Sequence, residues 1–97
     1  MFDKIKDLLG IEHEIDSKPF RKIMRVHGGS GLLNITDVKV TKRGSYITVH
    51  ITTHLPGILI GKAGKNIEEL RNWFGDFTNS EVRINIIESE MFSNFWN

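Results

Sequence analysis

The spacing of hydrophobic positions changes several times along this chain, and each change marks an element. Residues 2–9 put Phe2, Ile5, Leu8 and Leu9 on one helical face. Gly10 is a natural stop for that helix. Residues 11–18 are polar and acidic and read as a linker. Ser17 can cap a second helix with Pro19 near its first turn, and Phe20, Ile23 and Met24 give that helix an apolar face. Gly28-Gly29-Ser30-Gly31 must break it.

Residues 32–41 read as a strand with a conflict of parity. Leu33 and Ile35 share one face, while Val38 and Val40 share the other, so a bulge near Asp37 is expected. Lys42-Arg43-Gly44-Ser45 is a turn signal between two β-prone runs and predicts a hairpin. The next strand alternates cleanly, with Ile47, Val49 and Ile51 on one side and Thr48, His50 and Thr52 on the other. One face should be buried and the other at least partly wet.

Leu55-Pro56-Gly57 ends that strand, and Ile58, Leu59 and Ile60 fit a short helical turn closed by Gly61. Ile67, Leu70, Phe74 and Phe77 then form a core-facing helical stripe, with Trp73 beside it as core rather than as a base-stacking platform. Residues 75–80 read as a loop, and residues 81–87 as a last strand with Val82, Ile84 and Ile86 on one face. The tail carries Met91, Phe92, Phe95 and Trp96.

From residue 20 the order is helix, strand, strand, short helix, helix, strand. This predicts an α+β domain: a three-stranded sheet covered on one face by helices, with an extra helix at the N-terminal side. The expected divisions are residues 1–18 as N-terminal helix and linker, 19–88 as the domain, and 89–97 as an apolar tail.

Composition narrows the function. The 97 residues suffice for one compact domain, and 39% hydrophobic with 26% charged residues is ordinary for a globular protein. No apolar run approaches the roughly 18 residues of a membrane span, and the charged N-terminus does not read as a secretory signal. There is no cysteine, so neither a disulfide framework nor thiolate chemistry is available, and a cytoplasmic location is expected. The net charge of +1 conceals a strong asymmetry: residues 17–65 hold nine basic residues against Asp37 alone, and the flanking segments are acidic. A charged block can be a plain solvated face, but this one ends at a glycine loop, which points to an anionic partner.

That loop is Gly61-Lys62-Ala63-Gly64, set between two helical pieces. Its glycines permit a sharp turn and leave no side chain to hold a sugar-phosphate chain away. Amides at the start of the next helix favour negative charge, and Lys62 and Lys65 add mobile cations. Other glycine-loop chemistries fail on spacing. A Walker loop needs glycine at Pro56 and Ser or Thr at Ala63, and a dinucleotide fingerprint needs glycine at Leu59.

The run from the strand into Pro56-Gly57-Ile58, then Ile60-Gly61-Lys62-x-Gly64, followed by Ile67, Glu68, Leu70 and Arg71 and closed by Arg83-Ile84-Asn85-Ile86, resembles a KH domain of the bacterial type, type II. It looks most like the KH domain of a small-subunit ribosomal protein, over roughly 70 residues. The resemblance implies a groove for about four single-stranded nucleotides. It puts the backbone contact on Gly61, Lys62, Ala63 and Gly64, beside Lys65. The apolar floor falls on Ile58, Leu59, Ile60 and Ile67. The far wall falls on Val82, Arg83, Ile84 and Asn85, with residues 76–80 as the variable loop.

Other side chains add no rival chemistry. His50 and His54 share a strand face but have no Cys or acidic residue spaced to complete a metal site, so no metal or other cofactor is expected. His13-Glu14 opens a metalloprotease pattern that Ser17 ends. No nucleophile, base and orienting acid stand out, so the expectation is a non-enzymatic protein with no catalytic residues. The length fits a stand-alone single-stranded RNA-binding protein. Single-stranded DNA binding remains a second reading. A third is a protein-interaction or assembly module, homodimeric or hetero-oligomeric, working through the apolar termini.

Overall fold

The computed structural model describes residues 10–27 and 34–89. The expected helix over residues 2–9, the glycine break at 28–31 and the apolar tail lie outside those residues. Two strands open and extend the first layer: β1 is His13–Ile15 and β2 is Ile35–Arg43, with helix α1, Lys18–His27, between them. Strand β3 is Tyr46–Thr53. A short helix α2, Pro56–Ile60, leads through a turn at Lys62–Gly64 into helix α3, Lys65–Thr78, and strand β4, Glu81–Glu88, ends the fold.

The architecture is mixed α+β, but among the described residues the sheet has four strands in the order β1-β2-β3-β4, not three. The extra strand comes from the segment expected to be a linker. His13 and Ile15 stand opposite Lys42 and Val40 in an antiparallel pairing. His13 is buried and Ile15 packs against the core, so short alternation supplies a strand that composition concealed. This pairing also covers the outer edge of β2.

β2 and β3 form the expected hairpin. Arg43 pairs with Tyr46, and Gly44 takes φ +60° at the first turn position, as a primed two-residue turn requires. The register shifts between Ile35 and Asp37, which is the irregularity that the parity conflict predicts. β4 then joins β3 in parallel, Tyr46 against Glu81 through Thr53 against Glu88. A parallel neighbour requires a crossover, and α2 and α3 supply it.

The helices cover one face. Phe20 and Met24 of α1, Leu59 of α2, and Leu70 and Phe74 of α3 form one core with Val38, Val40, Ile47, Val49, Ile51 and Val82. Phe20 meets Phe74 edge-on at 5.3 Å between ring centres. Phe77, expected in the core stripe, is 57% exposed and only brushes Phe20 edge-on at 6.0 Å. Trp73 is half-buried against the core and stacks on His27 at 3.8 Å. α3 runs to Thr78, so the expected loop over 75–80 shrinks to Asn79 and Ser80, with Asn79 ending the helix at φ 51°.

α1 begins one residue after Ser17. Its side-chain cap comes from Asp16, whose Oδ1 accepts from the Lys18 N–H at 3.0 Å. Among the described residues, no helix is long and apolar enough to cross a membrane.

Candidate nucleic-acid interface

The loop is held from both sides by short-range geometry. Thr53, fully buried at the end of β3, donates through Oγ1 to the Asn34 carbonyl at 2.9 Å and accepts from the Leu55 N–H at 3.2 Å. Pro56 then starts α2 with its fixed φ and no amide to satisfy. Leu59 anchors α2 in the core, leaving Ile58 and Ile60 exposed. The Gly61 N–H closes α2 on the Gly57 carbonyl at 3.0 Å.

The chain reverses at Gly61, where φ 77° and ψ 174° form a backbone state nearly confined to glycine. A Cβ there would come within 2.5 Å of the Asn66 side chain. Ala63 (φ 55°, ψ 26°) and Gly64 (φ 74°, ψ 13°) follow in the left-handed region. Ala63 bears a cost of about 1 kcal/mol for that conformation. The Gly64 N–H bonds back to the Gly61 carbonyl at 3.1 Å. Asn66 Nδ2 donates to the Ile58 carbonyl at 3.4 Å and ties the first turn of α3 to α2.

α3 starts at Lys65 with Gly64 as its cap residue, and no side chain accepts from its first amides. The Lys65 N–H bonds to the Lys62 carbonyl in the preceding turn, and the first turn of α3 forms the positive end of the helix dipole. Lys62 and Lys65 are exposed beside them.

Across from this loop runs β4, the edge strand on that side of the sheet among the described residues. An open groove lies between, lined by Ala63, Gly64, Ile67, Glu68 and Arg71 on one wall and by Tyr46, Glu81, Val82, Arg83 and Ile84 on the other. An edge strand leaves half of its backbone donors and acceptors unpaired by the sheet, so this wall offers hydrogen bonds as well as side chains.

Six of the residues expected from sequence meet around this groove: Ala63, Gly64, Ile67, Val82, Arg83 and Ile84. Gly61, Lys62 and Lys65 flank it in the loop and at the helix start. Leu59 belongs to the core, where it supports the loop wall from behind rather than forming a floor. Ile58 and Ile60 are exposed on α2 outside the groove lining. Asn85 departs most from expectation. Strand parity turns it, with Arg83, to the open face of the sheet, where it meets His50 Nδ1 at 3.1 Å through its Nδ2. His50 Nε2 lies 3.1 Å from Thr41 Oγ1, so the histidine sits in a polar ladder across β2, β3 and β4.

Four lining residues were missed: Tyr46, Glu68, Arg71 and Glu81. Glu68 and Arg71 carried a readable signal, because they share a helix face with Gly64 and Ile67 at steps of three and four. They form an exposed ion pair at 3.8 Å. Tyr46 and Glu81 come together only through the β3–β4 register. The Arg83 guanidinium lies 5.4 Å from the Tyr46 ring centre, a cation–π arrangement at the groove's end. Among the described residues, no three His, Cys, Asp or Glu gather as metal ligands.

Comparison with known proteins agrees with this geometry. The KH domain family matches residues 14–91. The small ribosomal subunit protein uS3 of Synechococcus sp. (strain WH7803) is 38% identical over 69 residues, covering 67% of this chain and 28% of the relative. The uS3 protein of Staphylococcus saprophyticus is 40% identical over 55 residues, covering 57% of this chain and 25% of the relative. That of Dehalococcoides mccartyi is 33% identical over 54 residues, covering 56% and 19%. The chain thus spans about a quarter of the length of the curated relatives it matches.

Proposed function

The chain belongs to the KH domain family, and from that premise we propose that it binds single-stranded RNA in the groove between the Gly61–Gly64 loop and β4. The observation that carries this reading is the juxtaposition of a helix start without a side-chain cap, behind a left-handed glycine turn, with a strand edge that is unpaired among the described residues. The first suits a phosphate, and the second suits the hydrogen-bonding edges of bases.

In this reading the sugar-phosphate chain passes over Gly61, Lys62, Ala63 and Gly64, where no large side chain intervenes. Lys62 and Lys65 screen its charge. Ile67, Val82 and Ile84 give the bases an aliphatic surface, and Arg83 with Tyr46 closes one end. Asn85 is left out of the contact set because its side chain is engaged by His50 and does not line the groove. Binding is a property of this chain by itself and involves no catalytic step. Residues 19–88 form the binding domain in this proposal, with β1 as an added edge.

The test is a fluorescence-anisotropy titration of labelled single-stranded RNA with the parent and the Lys62→Asp, Ala63→Asp double variant. Asp tolerates left-handed backbone better than most residues, so the variant should fold. The expected result is a loss of affinity of tenfold or more with an unchanged circular-dichroism spectrum, together with weaker parent binding as salt rises. Equal binding by the folded variant would remove the loop from the site. A DNA oligonucleotide of the same sequence, run in parallel, decides whether the groove distinguishes the 2′-hydroxyl.

A further inference from the structure

Four of the chain's 13 basic residues, Lys62, Lys65, Arg71 and Arg83, lie at the groove and its loop. Of the nine basic residues in 17–65, only Lys62 and Lys65 lie at the loop. Four of the others, Lys18, Arg21, Lys22 and Arg25, are exposed on α1. The helix carries no acidic residue at all. Arg21 is held in place by its Nη2 bond to the Val38 carbonyl at 3.0 Å and lies 3.7 Å from Asp37. Lys18, Lys22 and Arg25 have no carboxylate partner among the described residues.

This pattern works against the helix. Cations in the first turn oppose the helix dipole, and Lys18–Lys22 and Arg21–Arg25 are like-charged pairs at i,i+4. A helix selected only to present a soluble face would mix in acidic residues, as α3 does with Glu68, Glu69 and Asp76. A repulsive stripe that stays uncompensated among the described residues can gain its compensation from an anionic ligand.

The stripe is separate from the groove. α1 packs on the far half of α3, through Phe20 on Phe74 and His27 on Trp73, while the glycine loop sits at the start of α3. Lys65 to Phe74 is a rise of roughly 14 Å along that helix. Lys18, Lys22 and Arg25 themselves span about 10 Å.

We propose that the outer face of α1 is a second RNA contact, taking the phosphate backbone of a duplex segment that adjoins the single strand in the groove. It rests on RNA being the ligand, but not on the loop geometry. Contacts of this kind carry affinity and position without reading sequence. The preferred RNA is then a strand leaving a stem rather than an isolated oligonucleotide.

The test compares the parent with the Lys18→Gln, Lys22→Gln, Arg25→Gln triple variant on three probes: a tailed hairpin RNA, the tail alone and the blunt hairpin. The parent should bind the tailed hairpin on the order of tenfold tighter than the tail, and the triple variant should lose that gain while binding the tail as before. The slope of log affinity against log salt on the tailed hairpin should fall by about 2.7, the value for three released phosphate contacts. Its melting temperature should be no lower than the parent's, since the stripe is self-repulsive. Retention of the gain overturns the proposal, as does an equal loss on the tail alone. Displacement of the blunt hairpin by poly-glutamate at equal charge would also overturn it, by making α1 a generic polyanion surface. Failure of the parent to bind the tail would count against the groove instead, because the blunt hairpin reads α1 without it.

Discussion

The two walls of the groove are built by different means. The loop wall, residues 56–71, is one continuous run whose shape follows from local rules: proline at a helix start, glycine at a positive φ, and amides exposed where a helix begins. The strand wall joins Tyr46 to Glu81, Val82, Arg83 and Ile84 through a parallel pairing between distant parts of the chain. The loop wall therefore depends on backbone conformation, and the strand wall on register. Damage to the first should act through strain and charge. Damage to the second should act through individual side chains.

The largest difference should come from Gly61→Ala. The new methyl needs a glycine backbone state and meets Asn66 at 2.5 Å, so we expect a destabilisation of about 2 kcal/mol, measured by urea unfolding. RNA binding should fall with it. A matching small-residue change on the strand wall has no such backbone cost.

Arg83→Ala should leave stability nearly unchanged and weaken RNA binding by about fivefold, since the exposed cation and its Tyr46 contact contribute on the order of 1 kcal/mol. Asn85→Ala, two residues along the same strand, should leave RNA affinity unchanged in the same titration. Equal effects at the two positions, which share one face of β4, would remove the distinction between the cation at the groove's end and the side chain held by His50.

Asn66→Ala removes the stitch to the Ile58 carbonyl and should cost about 0.5 kcal/mol, because the bond is long and exposed. Ala63→Gly is the smallest effect. Relief of left-handed strain, about 1 kcal/mol, is offset by the greater freedom of glycine in the unfolded chain, so thermal unfolding should shift by only a degree or two.

The same contrast explains what the sequence disclosed. Ile47, Val49 and Ile51 alternate without interruption, and Ile67, Leu70 and Phe74 repeat at helical spacing, so the burial of these elements was legible. The bulge near Asp37 was legible because two apolar parities collide there. Strand β1 was hidden, because three residues with a histidine and a glutamate carry too little periodicity to separate from a linker. The end of α3 was obscured by Gly75 and Asp76, which packing retains in the helix despite their poor propensity.

At the site, the turn at Gly61–Gly64 between two helices was legible in local sequence, whereas the burial of Leu59 and the groove lining by Glu68 and Arg71 were not. The strand wall was read by resemblance, which does not reveal that the Asn85 side chain meets His50. Tyr46 was missed for the complementary reason. Nothing near it in sequence says which residue of the last strand will stand opposite.

The most direct test of the account is a titration of isotopically labelled protein with a short single-stranded RNA, followed by amide chemical-shift mapping. The account predicts shifts concentrated at residues 61–71 and 81–84, with His50 and Asn85 unmoved on the opposite face. Shifts centred on the His50–Asn85 face, with the glycine loop silent, would contradict it.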